Sequence, residues 1–403
     1  MSAYLTSAEA TALLGISRAT LYAYVSRGLL QAHAAEHPRE SRYLREQVEQ
    51  LAHQRSQGRK PRDVAQATLN WGLPVLESSI TLIENGRLYY RGEDAVDWAR
   101  TRTLEDTAAL LWQCSAGAAF TPQPPGSAPL LPALQRQMAD HRCEESLLPL
   151  FTVASDDAST AAWQQSPDRL ATGCAALVRL LAACLLGMPP DAAPLHLQCA
   201  RAWGLDNQGA ELVRMALVLC ADHELNASGF TARCVASTGA SLRAAVIGGL
   251  AALSGAQHGG ATARVEALWD ELGANGSGDR LRQRLARGEA LPGFGHHLYP
   301  HGDVRATLLL EHVLPLHPDW AALVEQAMEL TGQAPSVDFA LVALRRHLGL
   351  PAGSAFGLFA LGRCTGWLAQ ALEQRATGHI IRPRAAYTGP RPQPAGAKPR
   401  SMR

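Results

Sequence analysis

The chain has 403 residues, of which 47% are hydrophobic and 18% charged, with a formal net charge of +1. Those values describe a soluble globular protein of two or three domains and exclude a chain that is disordered or membrane-embedded throughout. The near-zero total conceals a basic end, since residues 1–62 carry nine basic and five acidic side chains, a net of +4, which leaves −3 for the remainder. A separate N-terminal module with a polyanionic partner is therefore expected.

In chain order, Thr6-Ser7-Ala8-Glu9 is a capping box that predicts a short helix through Leu13 and Leu14, stopped by Gly15. A second helix is predicted from Arg18 to Arg27, with Gly28 at its C-terminal cap. Two short helices joined by a glycine-containing turn read as a helix-turn-helix, followed by an irregular wing to Ser41 and a third helix from Arg42 to His53. The run Leu14-Gly15-Ile16-Ser17-Arg18-Ala19-Thr20-Leu21, with Arg27-Gly28-Leu29-Leu30 after it, resembles the MerR/excisionase-like winged helix-turn-helix modules. The resemblance sets this module at 1–57 and places Arg18, Thr20, Tyr22 and Arg27 against a DNA major groove or its phosphates. A protein–protein or dimerising module uses the same helices, and that reading stays open.

Past a linker at 58–71, the stretch from Ile80 to Tyr90 is the clearest β signal. Asn85-Gly86 between two β-prone runs predicts a type I′ hairpin, closed by Arg91-Gly92. The pattern is helical from there on. Thr103 caps a helix ending near Cys114, and Ser166-Pro167 starts another with proline at its first position. The stretch Ala221-Asp222-His223-Glu224-Leu225-Asn226-Ala227-Ser228 ends one apolar helix and begins the next. The Ala/Gly-rich run from Ala240 to Leu253 reads as a tightly packed internal helix, which leaves His258 in a glycine-flanked turn before a helix over Arg264 to Leu272. In Pro292-Gly293-Phe294-Gly295-His296 two glycines admit φ values that a side chain forbids, so the backbone turns tightly and presents His296. Ser336-Val337-Asp338-Phe339 opens an amphipathic helix, and the last helix carries Gly362-Arg363-Cys364-Thr365-Gly366-Trp367 toward Gly378. Residues 391–403, rich in Pro, Gly and Arg, read as a disordered tail.

These loops and helix ends offer three histidines (His223, His258, His296), one carboxylate (Asp338) and three arginines (Arg305, Arg363, Arg382). A carboxylate with two imidazoles can take a proton from a carbon next to a carbonyl and stabilise the enol that forms. Arginines without a metal-binding motif suit a multiply carboxylated substrate. Together they describe condensation of an enolised thioester with an oxo acid. The motifs resemble the citrate synthase family: A-D-H-E-x-N-A-S at 221–228, Q-H-G-G-A at 257–261, P-G-F-G-H at 292–296 with D-x-R at 303–305, and V-D-F at 337–339. Gly362-Arg363 with Gly366-Trp367, and Arg382-Pro383-Arg384 with Tyr387-Thr388-Gly389, complete the set.

The resemblance covers residues 72–390 and implies a mostly α fold of large and small helical domains, the small one at roughly 260–340, behind the winged helix-turn-helix. It implies Asp338 as the base that deprotonates acetyl-CoA, His258 on the thioester oxygen, and His296 on the oxo-acid carbonyl. His223, Arg305 and Arg363 would hold oxaloacetate, with Arg382 contributed across the interface of a homodimer. Acetyl-CoA is then a substrate, and neither a cofactor nor a metal is implied. Thr262 stands where the family usually has Asn, and His297 where it usually has Arg.

Residue by residue, plainer readings exist. Each histidine reads equally as a satisfied loop residue, Asp338 as a partner of its helix N-terminus, and Arg305 and Arg363 as structural ion-pair arginines. His296-His297 with His301 also mimics a metal cluster. Three functions remain in view: an acyltransferase making citrate, a 2-methylcitrate synthase using propionyl-CoA, and a transcription regulator whose citrate synthase-like body senses ligands. The eight cysteines form no C-x-x-C pair, the N-terminus lacks a leader pattern, and the apolar run from Cys174 to Met188 is interrupted by Arg179 and too short to span a bilayer. A cytoplasmic protein with reduced thiols and no membrane partner is expected.

Overall fold

The computed structural model describes residues 4–26, 30, 32–34, 41–45, 47–48, 51, 76–122, 128–273, 277–385 and 387–390. At its start the capping box forms in both directions. The Thr6 hydroxyl accepts from the Glu9 N–H at 3.3 Å, and the Glu9 carboxylate accepts from the Thr6 N–H at 2.8 Å. The helix Ser7–Leu14 ends on Gly15 at φ 61°, and the second helix, Arg18–Ser26, follows. Strands β1 (Tyr4–Thr6), β2 (Ala32–Ala34) and β3 (Ser41–Leu44) make an antiparallel sheet in the order β1-β3-β2. Leu5, Ala10, Leu14, Leu21, Leu30, Tyr43 and Val48 form this unit's own core. The sequence predicts a third helix from Arg42, but Arg42-Tyr43-Leu44 is the middle strand and helical residues begin at Arg45. The reason is the alternation of exposed Arg42 with buried Tyr43, a period of two that suits a sheet with one wet face. Arg27 and Gly28 lie outside the described residues.

The second unit, Ser78–Arg382, begins with a small meander: β4 (Thr81–Glu84), β5 (Arg87–Tyr90) and β6 (Glu93–Asp94), all antiparallel. Asn85 at φ 53° and Gly86 at φ 74° supply the left-handed pair that a type I′ turn requires. Arg91 and Gly92 repeat that geometry at φ 47° and 91°, so the hairpin continues into a third strand instead of closing. The side chain of Arg91 holds the unfavourable backbone in place, with Nε and Nη2 donating to Leu111 O at 3.0 and 2.8 Å.

The rest is helical, arranged around Ser354–Thr377, whose residues are buried without a break from Ser354 to Ala371. A helix apolar on all sides belongs inside, and Leu104–Trp112, Asn207–Leu219, Ala227–Ser237 and Leu242–Leu253 pack against it. Two glycines set how closely. A Cβ on Gly362 would stand 2.6 Å from Leu217 O and 2.9 Å from Cys220 Cβ, and one on Gly366 would collide with Ala221 O and with Asp222 Oδ1 at 2.5 Å. The central helix therefore lies directly against the turn that carries Asp222 and His223. The meander fixes the same turn from outside. Tyr90 points its hydroxyl at Val218 O (3.0 Å), and Thr81 Oγ1 donates to Asp222 Oδ2 at 2.6 Å. Each of these contacts helps to place His223.

The helix Pro167–Leu186 is longer than the apolar run suggests, and by length and composition it is apolar enough to cross a bilayer. Two-thirds of its apolar window (67%) is nevertheless buried inside the protein, which makes it a core helix. Its buried Arg179 spends Nη2 on Thr121 O and Ala192 O, at 3.0 and 2.9 Å. All eight cysteines are free.

Gly366→Ala tests the close approach. The extra methyl meets backbone as well as Asp222, so the helix has to move. Overpacking of this kind costs about 1–3 kcal/mol. Denaturant unfolding should show that loss, and an unchanged midpoint would mean that the contact is not close in solution.

Candidate active site

His223 sits in the turn after Asn207–Leu219, where Glu224 adopts φ 52°, a left-handed conformation unusual for a residue with a side chain. Asn226 stabilises the turn from within: its amide donates to His223 O (3.1 Å) and Glu224 O (3.3 Å), and its Oδ1 accepts from Gly229 N (3.0 Å) to cap the helix Ala227–Ser237. Ser228 lies one turn on. Its hydroxyl is 2.8 Å from both Asn226 Oδ1 and His258 Nε2, so it ties the turn holding His223 to the glycine-flanked turn holding His258.

His296 reaches the same place from the loop 292–299. Gly293 and Gly295 have φ 84° and 78°, as their glycine content predicts. The loop is zipped to the segment before Asp338 by Ser336 N donating to Gly293 O at 2.7 Å and Gly295 N donating to Ala334 O at 2.8 Å. His296 Nδ1 accepts from Leu298 N at 3.2 Å, which puts the ring hydrogen on Nε2 in the neutral form. The His296 and His223 rings meet edge to face with centroids 5.2 Å apart.

Asp338 occupies the first turn of the helix Val337–His347. Its Oδ2 accepts from Ser336 Oγ at 3.3 Å, while Oδ1 is buried with no hydrogen-bond partner. Burial pushes this carboxyl up to about 6, against the pull of Arg305. The imidazoles move the opposite way. Burial takes His258 down to about 3, helped by Arg363 and Arg305, and His296 down to about 4, helped by Arg305, and it takes His223 well below the ordinary histidine value. At neutral pH the site thus holds uncharged imidazoles beside an ionised carboxylate whose proton affinity is raised, the distribution that general-base chemistry on a weak carbon acid requires.

The arginines differ from one another. Arg305 is buried and grips Asp303 with both arms, Nε to Oδ1 at 2.9 Å and Nη2 to Oδ2 at 2.7 Å. Asp303 also caps the helix Val304–Val313 and accepts from Val337 N at 3.0 Å. Arg363 is equally buried, 1% exposed; Nε donates to Cys220 O at 2.8 Å, and Nη2 has no hydrogen-bond partner. A buried guanidinium nitrogen left unpaired is a vacant seat for an anionic oxygen. Arg382 stands exposed in the extended segment after the central helix and joins none of these contacts.

Five of the seven residues singled out from sequence are thus linked through hydrogen bonds or ring contacts within the second unit, and Arg363 joins them through the Cys220 carbonyl. Sequence reasoning missed Asp303 as the partner of Arg305, Ser228 as the partner of His258, and Tyr299, whose hydroxyl is 3.0 Å from His223 Nε2. Asp303 and Ser228 sat inside the quoted motifs, which was the available signal. Tyr299 gave none. Among the described residues no three His, Cys, Asp or Glu side chains are placed to hold a metal ion. In the N-terminal unit Arg18 and Tyr22 are exposed and Thr20 is half-buried, its hydroxyl 2.9 Å from that of Ser17.

The raised Asp338 predicts a pH-dependent stability change in Asp338→Asn. The folded chain holds this proton more tightly than the unfolded chain does, so ionisation above about pH 6 costs the fold stability. Removing the charge should stabilise the protein at pH 8 by up to about 3 kcal/mol, at 1.36 kcal/mol per pKa unit. That gain should fade as pH falls through 6 toward 3.8, the ordinary aspartate value. Thermal melts of parent and variant across pH 4–8 give the difference, and a variant less stable than the parent at pH 8 would show that Asp338 is satisfied after all.

Comparison with known proteins agrees with this architecture. The family model described as citrate synthase, C-terminal domain, matches residues 68–384, and a helix-turn-helix domain model matches residues 4–56. The citrate synthase of Haloferax volcanii is 30% identical over 366 residues, covering 79% of this chain and 94% of that one. A 2-methylcitrate synthase of Mycobacterium tuberculosis is 30% identical over 345 residues, covering 76% and 86%. The crystal structure of citrate synthase from Thermotoga maritima matches with a TM-score of 0.66 at 26% identity, over 79% of this chain and 94% of that one. With one family model matched along most of its length and a fold to correspond, the chain belongs to the citrate synthase family and carries a helix-turn-helix domain in front.

Proposed function

We propose that the chain condenses acetyl-CoA with oxaloacetate and water to give citrate and CoA. The observation that carries this reading is Asp338 Oδ1, a buried carboxylate oxygen with no partner, on a segment hydrogen-bonded to the loop of His296. In this account Oδ1 takes a methyl proton from acetyl-CoA while His258 hydrogen-bonds the thioester oxygen. The enol carbon attacks the ketone carbon of oxaloacetate, and His296 Nε2–H donates to the oxygen that becomes the hydroxyl. Water then cleaves the thioester and releases the CoA thiol, which makes the sequence irreversible in practice. Arg363, with its unpaired Nη2, binds a carboxylate of oxaloacetate together with His223 and Arg305. Arg382 reaches in from the other subunit of a homodimer. Residues at roughly 260–340 act as the small domain whose closure excludes water before the carbanion-like species forms. The reaction uses no cofactor beyond its CoA substrate and takes place in the cytoplasm.

Relatives of both citrate and 2-methylcitrate synthase type are 30% identical to this chain, and one methylene in an acyl pocket changes binding by only about 1–3 kcal/mol. Thiol release from acetyl-CoA and from propionyl-CoA, each with oxaloacetate, should therefore be measured side by side. Asp338→Asn should lower kcat by about 10³-fold or more with either. Release that persists in this variant, or purified protein that binds oxaloacetate without releasing thiol, would contradict the enzyme reading.

The N-terminal domain favours a second role alongside catalysis. Its helix Arg18–Ser26 starts with the exposed Arg18 and carries the exposed Tyr22, as a DNA-reading helix would. Retention on duplex DNA should fall steeply between about 50 and 200 mM salt. A salt-independent interaction, or none, would assign this domain to protein contacts instead.

A further inference from the structure

Tyr299 lies at the centre of the contacts described above without having a part in the proposed reaction. It is 2% exposed. Its backbone N–H donates to His296 O at 3.0 Å, its ring is 5.0 Å from the His296 ring, and the Arg305 guanidinium stands 5.5 Å from its ring centroid. Its hydroxyl oxygen is 3.0 Å from His223 Nε2. One side chain therefore touches three of the residues assigned to oxaloacetate and its carbonyl.

The direction of the hydroxyl bond follows from counting donors and acceptors. Neutral imidazole has one N–H and one lone pair, and a phenol has one proton to give. His223 Nε2 is the only hydrogen-bond partner of the Tyr299 hydroxyl among the described residues. Were Nε2 the donor, that phenol proton would be buried with nowhere to go, at a cost of about 1–3 kcal/mol. With the phenol donating to Nε2, the phenol proton has its acceptor and the His223 hydrogen resides on Nδ1, which has no hydrogen bond of its own among the described residues. Burial raises the phenol to about 12 and lowers the imidazole, so neither group changes charge near neutral pH and the assignment holds there.

We propose that Tyr299 is a positioning residue: it fixes His223 in the Nδ1–H tautomer, so that this nitrogen is a permanent donor to a carboxylate of the oxo acid. The inference rests on the oxaloacetate reading given above. Without the phenol, His223 is free to place its hydrogen on Nε2 and turn a lone pair toward the carboxylate, replacing attraction with repulsion. The effect should appear in binding of the oxo acid and not in deprotonation of the thioester, which depends on Asp338 and His258.

The test uses the full-length chain and the conservative variant Tyr299→Phe, which retains the ring against Arg305 and His296. KM for oxaloacetate should rise about tenfold, with kcat within about threefold and KM for acetyl-CoA at saturating oxaloacetate within about twofold. A double-mutant cycle with His223→Asn should show coupling, Tyr299→Phe adding less than about threefold once the imidazole is absent. Equal effects on both KM values, or effects that multiply in the double variant, would make Tyr299 a packing residue and overturn the inference. Calorimetric titration with oxaloacetate separates this failure from that of the reading beneath it. A parent chain that binds oxaloacetate while Tyr299→Phe binds equally well overturns the inference alone. A parent that neither binds nor turns over removes both.

Discussion

The carboxylate of Asp303 accepts four hydrogen bonds, from Arg305 Nε, Nη2 and backbone N and from Val337 N, in a place where both ion-pair partners are almost wholly buried. Burial alone would push such a carboxyl up, but the guanidinium outweighs it and the group stays below its ordinary range. A buried pair of this kind is weak evidence for stability, because desolvation consumes most of the Coulombic gain. What it supplies is position. Asp303 caps the helix bearing Arg305 and, through Val337 N, also holds the first turn bearing Asp338. Removing one partner would leave an uncompensated buried charge, at about 3–5 kcal/mol. The unsatisfied groups of the site, Asp338 Oδ1 and Arg363 Nη2, can persist because neighbours such as this pair are over-satisfied.

The same division of labour runs through the second unit. Gly362 and Gly366 bring the central helix against the turn of Asp222 and His223, Thr81 and Gln370 hold Asp222 from either side, and the meander holds Tyr90 over the end of Asn207–Leu219. Of these residues only His223 has a part in the proposed reaction. Their effect is that two turns and one helix start, far apart in the chain, meet with little freedom to relax. Burial then does the electrostatic work: the same low polarity raises Asp338 and lowers the three imidazoles, which separates base from neutral donors without any further device.

Much of this was legible in the sequence, and what was not has a common cause. The capping box at Thr6, the Asn85-Gly86 turn, the buried Ala/Gly-rich helix and the glycine-set loop of His296 are local effects, specified by residues within a few positions of one another. The histidines and Asp338 stood out because they occupy helix ends and turns in motifs with a fixed order, whereas Arg363, expected at such an end, lies in the middle of its helix and stood out by its motif alone. Tyr299 did not, because its partner His223 is 76 positions away and nothing in the intervening pattern announces the pairing. Asp303 entered only as the first residue of the D-x-R motif, and its role in holding Val337 depends on a residue 34 positions on. The third helix of the N-terminal domain was placed too early for a similar reason: Arg42-Tyr43-Leu44 becomes a strand through pairing with β1 and β2, a tertiary choice that overrides local preference.

The central claim is that an unpaired, desolvated Asp338 is the base. The pH dependence of kcat/KM for acetyl-CoA at saturating oxaloacetate tests it most directly, since this ratio reports the ionisation of the catalytic groups before acetyl-CoA binds. The account predicts a limb that rises through about pH 6 as Asp338 loses its proton, with no fall from the histidines above it, because these are already neutral. A profile flat from pH 7 down to 4.5 would contradict it, for it would mean either that Asp338 is paired in solution or that another group takes the proton.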